Sequence, residues 1–176
     1  MKKALLFLII PTLLSWNNDW VIKIEKVIKE VNAKSFLVFQ NQKKVSGINV
    51  KTKLYKTNSE TKIVVNYSYK NPLFLTQEYF KNERYIFSKI EYGIIPITGK
   101  KDTLILFEKR TYFKHKNLGF QAYRELKVNI NDDHEGSKVI LSRKEFKSKD
   151  LKSFGLKDYL KIEKKFNKLK KEVTKQ

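Results

Sequence analysis

The sequence predicts an α+β fold in which an N-terminal helix and a C-terminal amphipathic basic helix flank an antiparallel β-meander of six to eight strands. Two changes of period carry this prediction. Apolar residues recur every three or four positions near both ends of the chain, and they alternate every second position over residues 35–141. The 176 residues are 41% hydrophobic, which is enough for a core, and we place one domain at residues 16–176.

The first 15 residues have the pattern of a secretory signal peptide. Lys2 and Lys3 precede an uncharged apolar run over residues 4–14, and polar residues follow it. The run is shorter than the roughly 20 residues that span a bilayer, and Pro11 interrupts it. We therefore expect cleavage near Ser15 and an extracytoplasmic product, either periplasmic or secreted. The alternative is an apolar segment docked on the fold.

A first helix is predicted over residues 18–33, because apolar residues such as Trp20, Ile24 and Val31 form one helical stripe. Alternation then predicts strands over residues 35–40, 47–56, 61–69, 74–80, 84–93, 103–114, 118–130 and 138–142. Short polar groups rich in Asn, Lys and Gly separate these runs. Such groups are typical of the hairpin turns that join strands in an antiparallel meander.

The end of the chain returns to helical spacing. A short helical piece is predicted over residues 144–154, and Gly155 suits its end because it has no Cβ. A longer helix follows, with an apolar stripe that includes Tyr159 and Phe166. Lysines repeat every three or four positions on another side of this helix: Lys157, Lys161, Lys164, Lys168 and Lys171.

Two hairpins share a motif. Gln77-Glu78-Tyr79-Phe80-Lys81 and Arg110-Thr111-Tyr112-Phe113-Lys114 each place Tyr-Phe-Lys before a polar turn. With the N-terminal signal and the Lys-rich last helix, this arrangement resembles uncharacterised secreted or lipoprotein-like bacterial proteins that carry repeated hairpins of the Tyr-Tyr-Phe-x-Asn-Gly-Lys-Leu type. The resemblance implies a fold and an envelope location. The chain departs from that pattern where Glu83 and Lys116 replace the turn glycine and where a lipidation cysteine is missing.

Few of the residues that enzyme chemistry needs are present. The chain has no cysteine, which excludes disulfides and thiolate chemistry, and only two histidines. His115 lies between two lysines and has no orienting partner in the sequence, so we interpret it as a turn residue. The acidic segment 131–136 lacks calcium-loop spacing, and we interpret it as a turn, with a metal site as the alternative. We expect no metal and no cofactor, and a hydrolase ranks third among the functions.

The large excess of basic residues points to anionic partners. Against 18 acidic residues stand 38 basic ones, which gives a formal net charge of +20 and a field that attracts polyanions. Only four of the basic residues are arginine, and the sequence contains no motif that recognises nucleic-acid bases. Both observations argue against nucleic acid as the partner. The second-ranked function is therefore lysine-mediated binding of polyanions or anionic membrane surfaces through the five lysines of the last helix. A plain solvated face is the alternative for these lysines.

The first-ranked function is an exported, non-enzymatic binding or envelope-associated protein. If helices cover one face of the sheet, the other face can form a concave aromatic surface that accepts a peptide or a glycan. Tyr69, Tyr79, Tyr85 and Tyr92 are the candidate ligand contacts on it. Burial in the core is the alternative for these tyrosines.

Overall fold

The computed structural model describes residues 19–100, 102–150 and 156–174. Its elements, in chain order, are α1 (Asp19–Lys34), β1 (Phe36–Val45), β2 (Ile48–Lys56), β3 (Thr61–Ser68), β4 (Phe74–Lys81), β5 (Ile86–Pro96), β6 (Thr103–His115), β7 (Leu118–Asn129), α2 (His134–Arg143), β8 (Lys147–Asp150) and α3 (Leu156–Thr174). The eight strands form one antiparallel sheet in sequence order, which confirms the predicted α+β meander with its first and last helices. The predicted signal peptide, residues 1–15, lies outside the described residues.

The predicted strand over residues 138–142 is wrong, because these residues belong to α2. This helix begins where the Asp133 carboxylate accepts a hydrogen bond from the Glu135 backbone N–H at 3.0 Å. Ser137 and Leu141, four residues apart, face inward and are buried. The apolar run before Ser142 is only three residues long, so its period could not be read from the sequence.

The predicted helix over residues 144–154 is wrong in its described part, where Lys147–Asp150 form strand β8. These four residues pair with residues 120–123 of β7. Lysine, serine and aspartate have no preference for strands. The free edge of β7 therefore determines the strand, because it supplies backbone partners that the sequence of β8 does not reveal.

Helices pack on both faces of the sheet, so the expectation of a helix layer on one face only is wrong. Cross-strand partners lie on the same face, so the register assigns each side chain to a face. We call the side on which α3 packs the α3 face and the opposite side the α1 face. On the α3 face, the Tyr79 ring lies 6.5 Å from Phe166 and the Phe113 ring lies 5.3 Å from Tyr159. The buried residues Leu54 and Ile63 complete the core under α3, as the apolar stripe of that helix predicts.

The α1 face carries the other two helices. α1 packs its buried residues Val21, Ile28 and Val31 against a layer of buried aromatic residues from β4 to β7: Phe80, Phe87, Tyr112 and Phe120. α2 places Leu141 against the far end of the same face, among Ile94, Leu104, Leu106 and Val128. Among the helices described, none is both long enough and apolar enough to cross a membrane.

Candidate functional site

The α1 face contains a buried cluster in which positive and negative charges are equal in number. Glu108 and Arg124 face each other across β6 and β7, with a distance of 2.5 Å between Oε2 and Nη2. Arg110 contacts Glu108 at 2.6 Å and Glu25 of α1 at 3.0 Å. Two carboxylates thus meet two guanidinium groups, and every one of these side chains is less than 20% exposed.

Arg124 also ties this cluster to the surrounding chain. Its Nη1 atom donates to the carbonyl oxygens of Ser142, in the last turn of α2, at 2.6 Å and of Lys144, just after the helix, at 3.2 Å. Its guanidinium lies 4.4 Å from the centre of the Phe146 ring, and that of Arg110 lies 5.1 Å from the same ring. Because charge and hydrogen bonds are both satisfied, we interpret this cluster as a structural link between the sheet and its helices.

A second cluster on the α3 face is not balanced. It consists of Lys89, Lys109 and Lys165 around Glu91, together with Gln77, and we call it the lysine cluster. The register places Gln77, Glu91 and Lys109 side by side on strands β4, β5 and β6. Lys89 approaches Glu91 at 2.8 Å and Lys109 approaches it at 3.7 Å. Two cations therefore contact one carboxylate, and a third, Lys165, reaches Gln77 beside it.

Hydrogen bonds position the groups of the lysine cluster. The Gln77 side-chain amide donates to Glu91 at 2.8 Å, and its carbonyl oxygen accepts bonds from the Tyr79 hydroxyl at 3.1 Å and from Lys165 of α3 at 2.8 Å. The ammonium of Lys89 also lies 5.5 Å from the centre of the Tyr79 ring. α3 thus contributes one of the three cations, and the sheet holds the other two in place.

Burial and repulsion both act on the charges in this cluster. Burial lowers the pKa of Lys89, and the neighbouring charges of Lys165 and Lys109 lower it further, although Glu91 opposes them. Burial also lowers the pKa of Lys165. For Glu91, burial raises the pKa, but the charges of Lys89 and Lys109 and the hydrogen bonds outweigh it, so the net direction is downward. Glu91 is therefore held ionised. Its single negative charge does not balance the positive charges of the three lysines.

An apolar strip lies next to the lysine cluster on the α3 face. We define it as Leu75, Ile95, Ile105 and Phe107, which lie on the same face of β4, β5 and β6, beyond Gln77, Glu91 and Lys109 in the direction away from Tyr79. Ile95 is 37% exposed and the other three are partly exposed. None of the four belongs to a core cluster of the described residues.

The width of the sheet explains why the strip has no helix over it. Eight strands about 4.8 Å apart make a sheet about 34 Å wide, whereas one helix covers about 10 Å. α3 runs over the side of the sheet that contains Val50, Leu54 and Ile63. The helix also covers Phe113 at one end of β6, so among the described residues only the other end of this face remains open, where the apolar strip lies beside the partly exposed Lys109 of the lysine cluster.

The four candidate tyrosines do not share a surface. Tyr79 is fully buried under α3, and Tyr92 lies on the opposite face, where its ring is 5.6 Å from Phe74. Tyr69 follows the end of β3 and is 40% exposed. Tyr85 lies just before β5, and its hydroxyl donates a hydrogen bond to the Lys114 carbonyl oxygen at 2.8 Å. The single aromatic surface expected from these residues is therefore not formed.

The five candidate lysines of α3 do share a surface. All of them are exposed on the outer side of the helix: Lys157, Lys161, Lys164, Lys168 and Lys171. Lys161 lies 3.9 Å from Asp158, and within the described part of the chain no carboxylate lies within 4.0 Å of the other four. A shallow groove of about 760 Å³ runs along this side, between Leu160 and Glu172.

The acidic segment and His115 have local roles. Asp133 caps α2, and the Asp132 carboxylate accepts a hydrogen bond from the Asn129 backbone N–H at 2.6 Å. His115 is exposed at the end of β6. Across residues 19–100, 102–150 and 156–174, no three His, Asp or Glu side chains come close enough together to hold a metal ion.

The lysine cluster is not among the sites predicted from the sequence, although the sequence contains a signal for it. Gln77 lies between the apolar same-face residues Leu75 and Tyr79, and Lys109 lies next to Phe107, so polar side chains interrupt an otherwise apolar face where Glu91 joins them on the strand between. That signal becomes visible only when the register is known.

Comparison with known proteins yields no family model, no curated protein and no solved structure that matches this chain.

Proposed function

We propose that this chain is an exported, non-enzymatic binding protein and that its ligand is an anion held at the lysine cluster on the α3 face. The observation that carries the proposal is the excess of charge in the lysine cluster, where Lys89 and Lys109 contact the carboxylate of Glu91 and Lys165 adds a third cation through Gln77. A partly buried cation without a matching anion costs free energy. An anionic ligand would remove that cost.

The contrast between the two faces supports a ligand at this position. On the α1 face, where helices close over the charges, two carboxylates balance Arg110 and Arg124. On the α3 face, the unbalanced charges lie where the sheet is open, and the Lys109 side chain is 37% exposed. A cluster that only stabilised the fold would need neither an excess of positive charge nor access to solvent.

The chemistry of the cluster favours binding over catalysis. Its groups are ammonium cations and an amide, which attract and orient an anion. Glu91 has a lowered pKa and is hydrogen-bonded, so it is a poor general acid. The hydrolase hypothesis therefore has less support in this cluster than an anion-binding role.

The proposal can be tested by calorimetric titration with tripolyphosphate. We expect saturable binding that weakens with added salt, because exposed charges are screened within about 10 Å at 0.1 M salt. Lys109→Gln should weaken the binding about tenfold, since it removes one charge-assisted contact. Lys171→Gln, which removes an equal charge from the outer side of α3, is the matched control. Equal effects of the two substitutions would contradict a site at the lysine cluster.

A second candidate function is binding of the outer side of α3 to an anionic membrane or polysaccharide. It is supported by the five exposed lysines and by the absence of a carboxylate near four of them within the described residues. Reversing Lys164, Lys168 and Lys171 to glutamate should reduce binding to phosphatidylglycerol vesicles at least 100-fold, at about 1 kcal/mol per lysine. The melting temperature should barely change. Undiminished binding by the variant would exclude the helix as the contact.

Export is the remaining part of the proposal. Lys2, Lys3 and the apolar run over residues 4–14 support it, together with the resemblance to envelope proteins. We expect a mature protein that begins after Ser15 in the extracytoplasmic fraction. Cell fractionation with mass measurement of the N-terminus tests this, and an intact Met1 in the cytoplasmic fraction would contradict it.

A further inference from the structure

We infer that the anion bound at the lysine cluster is the head group of a small amphiphile whose apolar chain lies along the apolar strip. This inference rests on the proposed function and adds the class of ligand. The occupant is a single molecule with one acidic group, such as a carboxylate or a phosphate, on an alkyl or aryl chain.

The distances along the strands match such a molecule. On β6, Phe107 occupies the same-face position next to Lys109, about 7 Å away, and Ile105 lies about 7 Å further along the strand. The strip therefore extends about 14 Å from the charged groups. A head group among Lys89, Lys109 and Lys165 would leave its chain lying directly over these side chains.

The apolar strip argues against a polyanion at this site. A polysaccharide or polyphosphate chain that continued from Lys109 towards Lys127 would cross Phe107 and Ile105. Before it reached Lys127 it would lose water over Phe107 and meet the exposed carboxylate of Glu125, the same-face partner of Phe107 on β7, and both effects cost free energy. Partly exposed apolar side chains beside a compact group of cations instead complement a ligand that is charged at one end only.

The position of α3 argues against a membrane surface as the occupant. The helix packs on the sheet beside the open area, with its axis about 10 Å above the strands. A flat bilayer surface would therefore contact α3 before it could reach Phe107 or Lys109. A free molecule can enter the space beside the helix and contact both the cations and the strip.

Calorimetric titration with decanoate, below the concentration at which it forms micelles, tests the inference. We expect decanoate to bind the wild-type protein and affinity to rise about twofold for each methylene from hexanoate to decanoate. Complete burial of a methylene would give about fourfold, and the strip covers one side of the chain only. Decyl maltoside, which has the same chain and no charge, should bind at least tenfold more weakly than decanoate, because it lacks the contact with the lysines.

Two substitutions locate the chain on the protein. Phe107→Ser should weaken decanoate binding about tenfold and leave tripolyphosphate binding unchanged, because only the apolar contact is lost. Ile140→Ser, on the exposed side of α2, is the matched control and should change neither. The chain-length series on the wild-type protein gives an independent result if Phe107→Ser lowers the yield of folded protein.

The outcomes separate this inference from the proposed function. Binding of tripolyphosphate without a chain-length effect would overturn the amphiphile and leave the anion site standing. Loss of decanoate binding in Lys109→Gln but not in Phe107→Ser would also overturn the amphiphile. Binding of neither probe would overturn both proposals.

Discussion

Replacing Phe166 with alanine tests whether α3 is a stabilising part of the fold. The Phe166 side chain is fully buried and its ring meets that of Tyr79 edge to face, at 6.5 Å. A buried phenylalanine removes about 150 Å² of surface from water, and about 25 cal/mol per Å² makes this worth nearly 4 kcal/mol. The cavity left behind adds to the loss, so we expect the free energy of unfolding to fall by about 3 to 5 kcal/mol.

The effect can be measured by urea denaturation with circular dichroism, with Lys164→Ala as the control on the same helix. Lys164 is exposed, so its removal should change the free energy of unfolding by less than about 0.5 kcal/mol. Phe166→Ala should also lower the melting temperature by about 10 °C, at about 2 to 4 °C for each kcal/mol. If both substitutions cost less than about 1 kcal/mol, α3 is not docked on the sheet and the assignment of the α3 face is refuted.

Three further predictions concern the ionisable groups and the cap of α2. Burial raises the pKa of Tyr159 to about 12, so the folded state favours the neutral phenol. The contribution of Tyr159 to stability should therefore be constant below pH 10 and fall by about 2 to 3 kcal/mol as the pH rises from 10 to above 12, so the wild-type protein should lose that much more stability over this range than Tyr159→Phe, as denaturation at each pH will show. Arg124→Met should cost about 3 to 5 kcal/mol in urea denaturation, since it leaves Glu108 buried with one cation fewer. Lys138→Met, which breaks an exposed pair with Glu135, should cost less than about 0.5 kcal/mol and is its control. Asp133→Ala should cost about 1 kcal/mol by the same measurement, because the Glu135 backbone N–H loses its cap, and no change in stability would contradict that assignment.

The order and type of most elements could be predicted from the amino-acid sequence, because they depend on local patterns. Alternation along β2 to β7 and the polar groups between the runs specify hairpins, and consecutive hairpins leave little choice but a meander. The stripes of α1 and α3 could be recognised because a helix of 16 or 19 residues repeats its period several times. Over residues 138–150 the patterns are too short to repeat, and both predicted elements there are wrong.

Tertiary structure alone decided which side chains meet at the open face. Gln77, Glu91 and Lys109 come from three strands, and Lys165 reaches them from α3, so the register and the helix position bring the cluster together. The same packing buries Tyr79 and places Tyr92 on the opposite face, which the tyrosines' positions in the sequence could not indicate. The physical reason is one of size: a single helix covers about 10 Å of a sheet about 34 Å wide, so part of the face stays open.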